Sequence, residues 1–394
     1  MTMQDVVIVS AARTAVGKYN GALRQYEASD LGGLAIREAI RRAGIDPSLP
    51  DEAVMGCECC AAENAYLARM AAIKGGMSQD SAALTVDRLC ASGLQAIVTA
   101  AMEIASGFAD VCVAGGAESM TNIPFYLRKA RFGYGAGHGM LEDGLITTNS
   151  DPFSHEPMGI TAENIAAKYG ITREEQDRYA LMSQQRAKEA MENGIFKDQI
   201  FPVTVNCGKH ETRIFEVDEH PRPTTTLEKL AALHPAFKED GSVTPGNSSG
   251  VNDGAAAMVL MSAGRARALG CRPMARIVSA AVAGVDPNLM GTGPIPAVRK
   301  LLRQTGMTLD DIGVIELNEA FAAQAIACIR ELGLPMDRTN VHGSGIALGH
   351  PVGATGCIIS VKLLYEMRRQ NQQFGMATLC IGGGQGMAVL YELL

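Results

Sequence analysis

The chain has 394 residues, 47% of them hydrophobic and 20% charged, enough to bury a large core in two or three domains. A net charge of −7 and a pI near 5.6 argue against a dedicated nucleic-acid binder. No apolar run is expected to approach the roughly 18 residues that cross a bilayer. The opening MTMQDVVIVSAARTAVG lacks a signal peptide's apolar block and an Arg-rich transit helix, so the cytoplasm is the expected location.

Val6 to Val9 is a β-branched apolar run that predicts a strand, followed by a turn containing Arg13 and Gly17. Leu31, Leu34, Ile36, Ala39, Ile40 and Ala43 share one helical face, with Ser29 or Asp30 to cap its start and Gly44 to stop it. Val54 to Gly56 predicts a second strand, Leu94 to Ala105 a helix starting just after Cys90, and Val111 to Ala114 a buried strand. This β-α-β-α rhythm predicts a mostly parallel sheet covered on both faces. From about Thr121 to Gly250 the pattern changes to glycine-rich and polar loops, helices and a Pro-rich turn at Pro221 to Pro223. There Thr172 to Glu175 reads as a capping box that opens a long charged helix. The stretch is expected to be an insertion covering a site. From Ala275 onward strand and helix signals resume, at Ile277 to Val282, Pro296 to Gln304, Ile312 to Leu317, Ala320 to Leu332, Gly353 to Met367 and Met376 to Ile381. DVCVAGGAESM and ATLCIGGGQGM echo each other weakly, which suggests an internal duplication.

Ten cysteines without an export signal read as reduced thiols. In GCECC, Cys57, Cys59 and Cys60 lack the second Cys or His pair that zinc requires, so no metal is expected and a strand end with small thiols is the simpler reading. Cys90 precedes a helix, where the dipole and nearby N–H groups lower a thiol's pKa toward the nucleophilic thiolate; its alternative is a small buried hydrophobe. His350, between Gly349 and Pro351, is the obvious base for such a thiol. Cys380 precedes consecutive glycines and is expected to be solvent-reachable rather than packed. Asn318, after a strand, suits either an oxyanion-holding amide or a helix cap.

DRLCASGLQA, AGGAESM, GNSSGVNDGAA, LNEAFAAQA, SGIALGHPVGATG and CIGGGQG stand in the order and spacing of the thiolase family, which the chain resembles over essentially its whole length. The resemblance implies an α/β fold of duplicated β-α-β-α-β-β halves in a five-layered α-β-α-β-α core with an inserted loop domain. Residues 1–120 plus 251–272 would form one half, 121–250 the insertion and 273–394 the other half. It implies an acyltransferase that joins or splits coenzyme A thioesters, with acetyl-CoA and acetoacetyl-CoA the expected pair and a broader 3-ketoacyl-CoA thiolase the alternative. By position, Cys90 matches the acyl-accepting nucleophile, His350 its activating base and Cys380 the acid/base at the substrate's α-carbon. Asn318 matches the residue that holds a water beside the histidine, and the N–H groups of Cys90 and Gly382 the second oxyanion hole. Arg222 and Ser249 match positions touching coenzyme A, while Met158, Phe237 and Phe321 match residues lining its pocket. Coenzyme A thioesters are then substrates, no metal or redox cofactor is implied, and a homodimer or homotetramer is expected.

The sequence departs from the family pattern at several places. Asp87 stands where relatives often have asparagine and is expected to raise the Cys90 pKa. Glu58 to Ala68 diverges from a usual glycine- and glutamine-rich stretch, and Pro157 replaces a histidine before Met158. A non-catalytic thioester binder on the same fold should lack a catalytic residue, whereas Cys90, Asn318, His350 and Cys380 are all present.

Overall fold

A computed structural model describes residues 5–208 and 211–394. The principal strands are β1 (Val6–Arg13), β2 (Glu52–Gly56), β3 (Ala82–Val86), β4 (Val111–Ser119), β5 (Asn252–Ser262), β6 (Ala275–Gly284), β7 (Val314–Leu317), β8 (Phe374–Ile381) and β9 (Gln385–Leu393). The principal helices are α1 (Ala28–Ala43), α2 (Leu67–Gly75), α3 (Ser92–Ser106), α4 (Met158–Tyr169), α5 (Arg173–Glu192), α6 (Pro294–Thr305), α7 (Ala322–Leu332) and α8 (Val352–Gln370). The strands hydrogen-bond in the order β7-β8-β9-β6-β1-β5-β4-β2-β3, and a short strand, Gly17–Lys18, pairs with β5. β1 and β6 share only the pairs Val7↔Arg276 and Ile8↔Ala275, a narrow seam between two sheet segments.

The period-2 pattern of the strands explains the layers. In β5, Ala255, Ala257, Val259 and Met261 face a core with Leu31, Ile36 and Ala39 of α1 and Leu67 and Ala71 of α2. Ala256, Met258 and Leu260 face the opposite core, shared with Leu94, Ile97 and Ile104 of α3 and Ala354, Val361 and Leu364 of α8. Ala377, Leu379 and Ile381 of β8 close that middle core from the other side. Met376, Ala388 and Leu390 turn outward to Ile295, Val298 and Leu301 of α6 and Ala322 and Ala325 of α7. The sequence of layers is thus helices, sheet, helices α3 and α8, sheet, helices. Each fully buried Leu or Ile stabilises this stack by about 1.5–3 kcal/mol relative to exposure.

Several expectations need correction. The sheet is mixed: β2/β3, β2/β4 and β7/β8 are parallel, whereas β1/β5, β5/β4, β1/β6, β6/β9 and β8/β9 are antiparallel. The tight glycine turn between β8 and β9 permits only antiparallel pairing, and β5 returns from the insertion to run against both β1 and β4. β5 itself went unread, because burial on both faces leaves an alanine-rich run without alternation. β1 continues to Arg13, whose buried guanidinium donates to Asp218 at 2.7 and 2.9 Å instead of standing in a turn. Glu27 rather than Ser29 or Asp30 is the N-cap of α1, with its N–H donating to Asp30 Oδ2 at 3.1 Å. The Leu89–Ser106 stretch is long and apolar enough to cross a membrane by composition, yet α3 forms part of the middle core. The capping box of α5 is present, with Thr172 N–H donating to Glu175 Oε2 at 2.8 Å.

Candidate active site

Cys90 and His350 each precede a middle-layer helix, and the crossing of those helices draws their two turns together. A Cβ on Gly93 would lie 2.9 Å from the Cys357 backbone nitrogen, and one on Gly356 only 2.4 Å from that of Leu94. Only glycine lets the first turns of α3 and α8 touch. The residues just before them, Cys90 and His350, then line one cavity of about 260 Å³ with Glu58, Leu89, Met158, Met290 and Gly382. The insertion supplies its other wall through Thr147 to Ser150 and Pro152. An adjoining cavity of about 360 Å³ is lined by Ser249, Phe237, Phe321, Met158 and His350.

The Cys90 turn is strained. Leu89 has φ 49°, a left-handed conformation without glycine's tolerance for it. Its N–H donates to Asp87 Oδ1 at 2.8 Å, and its carbonyl accepts the Ser92 hydroxyl at 2.6 Å, so side chains on both flanks hold the kink. Burial, the Glu58 carboxylate and Cys380 push the Cys90 thiol well above its ordinary range, while the N–H groups of Gly382 and Cys90 pull it down. The lowering expected from the helix terminus is therefore outweighed. Glu58, rather than Asp87, is the carboxylate that raises this thiol.

His350 is 5% exposed, and burial lowers its pKa to about 4, so the ring is neutral near pH 7. The Thr355 hydroxyl donates to the Pro351 carbonyl at 2.9 Å and lies 2.6 Å from His350 Nδ1. With its proton committed to Pro351, that hydroxyl accepts from Nδ1–H, which assigns the lone pair to Nε2. The His350 N–H donates to Asn252 Oδ1 at 3.0 Å and fixes the backbone. The Asn318 amide nitrogen lies 3.4 Å from Nε2, and its buried Oδ1 has no hydrogen-bond partner among the described residues. Asn318 is not a cap, since α7 begins at Ala322 after Phe321. Its neighbour Glu319 accepts from Tyr179 at 3.0 Å, Ser183 at 2.6 Å and Asn340 at 3.0 Å, tying this loop to α5.

Cys380 ends β8 and is 1% exposed, packed with Met290, Ala320 and Phe321 behind the cavity wall. The expected solvent-reachable thiol is thus corrected: the glycines after Cys380 form the turn, while the side chain points into a core. Burial pushes it up to about 12, and it lies near enough to act on the Cys90 thiol. Met158 opens α4 and lines both cavities. A Cβ on Gly159 would meet the Phe237 ring at 2.2 Å, so that residue seats Phe237 against Phe321, edge to face at 6.3 Å. Arg222 stands apart, exposed in a separate cavity of about 350 Å³ with Lys229, His220 and Thr225. Sequence reasoning missed Leu89, Thr355, Glu58 and Asn252. Only Thr355 carried a usable signal, a hydroxyl on the first turn of the helix that follows His350.

Comparison with known proteins agrees with this geometry. The model of the thiolase N-terminal domain matches residues 6–264, and that of the thiolase C-terminal domain matches residues 271–393. An acetyl-CoA acetyltransferase of Pseudomonas aeruginosa is 50% identical over 388 residues, covering 98% of this chain and 99% of that protein. The crystal structure of the Bacillus anthracis acetyl-CoA acetyltransferase superposes with a TM-score of 0.98 at 45% identity, covering 100% of both chains. That of human mitochondrial 3-ketoacyl-CoA thiolase gives a TM-score of 0.97 at 42% identity, again over 100% of both. With its two halves matched and its full length covered, the chain belongs to the thiolase family.

Proposed function

We propose that this enzyme condenses two molecules of acetyl-CoA to acetoacetyl-CoA and free coenzyme A, and runs the reverse thiolysis, through an acyl group on Cys90. The observation that carries this reading is a neutral His350, oriented by Thr355 with its lone pair on Nε2, in one cavity with the Cys90 thiol. His350 takes the thiol proton as Cys90 attacks the thioester carbonyl. The N–H groups of Cys90 and Gly382 hold the developing oxyanion, a contribution worth about 10²–10³ in rate per donor. Coenzyme A departs with the proton of Cys380, which rests as a thiol because it is buried. That leaves a Cys380 thiolate beside a protonated His350. The thiolate removes an α-proton from the second acetyl-CoA, and the protonated His350 with an Asn318-held water stabilises the enolate oxygen. Carbon–carbon bond formation expels Cys90, which regains its proton from His350, so every proton is returned.

The orphaned Oδ1 of Asn318 supports its water-holding role, since a buried acceptor without a partner is costly. Ser249, Phe237, Phe321 and Met158 are assigned to the pantetheine arm, and Arg222 with Lys229 to the charged nucleotide end. No resident cofactor is proposed, because the thioester itself acidifies the α-proton. A broader 3-ketoacyl-CoA thiolase is the second reading, favoured by Pro157 ahead of Met158 and by the likeness to the human enzyme. Steady-state rates on acetoacetyl-CoA and on longer 3-ketoacyl-CoA esters separate the two. A strong preference for chains of about eight carbons or more overturns the first reading.

A homodimer or homotetramer is also proposed. Phe132, Met140 and Phe153 are 91%, 73% and 71% exposed on the insertion, apolar surface that suits contact with another copy. Ten free thiols support a reducing, cytoplasmic compartment. Light scattering coupled to size-exclusion chromatography tests the assembly, and a strictly monomeric mass excludes it.

A further inference from the structure

Two carboxyl groups, Glu58 and Glu118, meet at the loop after β2, and their surroundings differ. Glu118 is saturated: its oxygens accept from the Glu58 N–H at 2.8 Å, the Gly353 N–H at 3.0 Å and the Cys57 thiol at 3.5 Å. Glu58 has its backbone pinned by that contact and by the close approach of Gly353, whose Cβ would lie 2.8 Å from the Glu58 nitrogen. Its side chain reaches the cavity that holds Cys90, His350 and Thr148, yet its buried Oε2 has no hydrogen-bond partner among the described residues. The groups acting on it are Glu118, Asp87, Cys90 and Cys60, none of them a cation. A buried carboxyl oxygen of this kind is one hydrogen bond short.

We propose that Glu58 is a specificity-determining residue of the acyl cavity, selecting short acyl groups that carry a hydroxyl near the thioester carbonyl over alkyl groups of the same size. The inference rests on the acyl-Cys90 reading above. Glu58 and Cys90 line the same cavity of about 260 Å³, which keeps the partner hydroxyl among the first carbons beyond the carbonyl. Burial and the neighbouring Glu118 and Asp87 push the Glu58 carboxyl well above the usual carboxylate range, toward its neutral acid. A hydroxyl both donates and accepts, so it satisfies either protonation state. An alkyl group of the same size leaves Oε2 unpaired. A site built to bond a hydroxyl discriminates more sharply than one that only measures volume.

The test compares glycolyl-CoA with propionyl-CoA, which differ by a hydroxyl in place of a methyl, in the rate of Cys90 acylation followed by intact mass. The wild-type enzyme should favour glycolyl-CoA by roughly tenfold or more in kcat/KM. Glu58→Gln, which keeps an acceptor oxygen, should retain most of that preference, and Glu58→Val should abolish or reverse it. Equal wild-type rates, faster acylation by propionyl-CoA, or an unchanged ratio in Glu58→Val overturns the proposal. The wild-type ratio decides even if the valine variant does not fold. Acetyl-CoA serves as the control: failure to acetylate Cys90 defeats the thiolase reading itself, whereas normal acetylation without discrimination defeats only the role of Glu58.

Discussion

The two cysteines of the site sit at comparable turns and are built in opposite ways. Cys90 is partly exposed on a strained loop and shares its cavity with Gly382 and the Glu58 carboxyl group. Cys380 ends a regular strand, is 1% exposed and is surrounded by Met290, Ala320 and Phe321. The contrast suits a division of labour. A sulfur that must receive an acyl group needs room and oxyanion donors, while one that only passes a proton needs a dry wall.

The sharpest way to break that division is to remove each sulfur in turn. Cys90→Ala should lower turnover in both directions by on the order of 10⁴-fold or more. Cys380→Ala should stop condensation by a similar order yet still accumulate acetyl-Cys90, because a thiol leaving group with pKa near 8.5 needs little acid help. Intact mass after mixing with acetyl-CoA reads the difference, and an unacylated, folded Cys380→Ala protein contradicts it.

The base provides the next test. His350→Ala should slow acylation by about 10²–10⁴. In the wild type, neutral His350 persists down to its lowered pKa of about 4, so the acid limb of acylation should lie well below the 6.5 of a free histidine. Rapid-quench acylation at several pH values measures that limb, and a limb at 6.5 refutes the assignment. Asn318→Ala should cost about 10²–10³ in kcat with little change in KM. Thr355→Val, which removes the acceptor from Nδ1–H, should cost about 10–100-fold in kcat. An unaltered kcat in either variant refutes the role given to that side chain.

Much of this site was legible before any coordinates. Cys90 and Asn318 each lie at a strand-to-helix junction that hydrophobic patterning places, whereas His350 sits in the turn between a short helix, Gly345–Leu348, and α8. The misreadings have physical causes. Three glycines after Cys380 suggested an open thiol, yet glycines report backbone conformation and say nothing of where the preceding side chain points. A helix start suggested an acidified Cys90, but desolvation and a carboxylate from the loop after β2 outweigh a dipole effect. β5 escaped notice because a strand buried on both faces carries no alternation to detect. Its loss from the reading also hid the antiparallel character of the sheet. The left-handed Leu89 had no sequence signal of its own, since the kink is held by its N–H donating to Asp87 and its carbonyl accepting from Ser92.

The first turns of α3 and α8 touch where Gly93 meets the Cys357 backbone and Gly356 that of Leu94. This contact joins the proposed nucleophile, Cys90, of one half to the proposed base, His350, of the other, so on that reading neither half alone contains a working centre. A gene fragment encoding a single repeat would inherit a scaffold without a reaction.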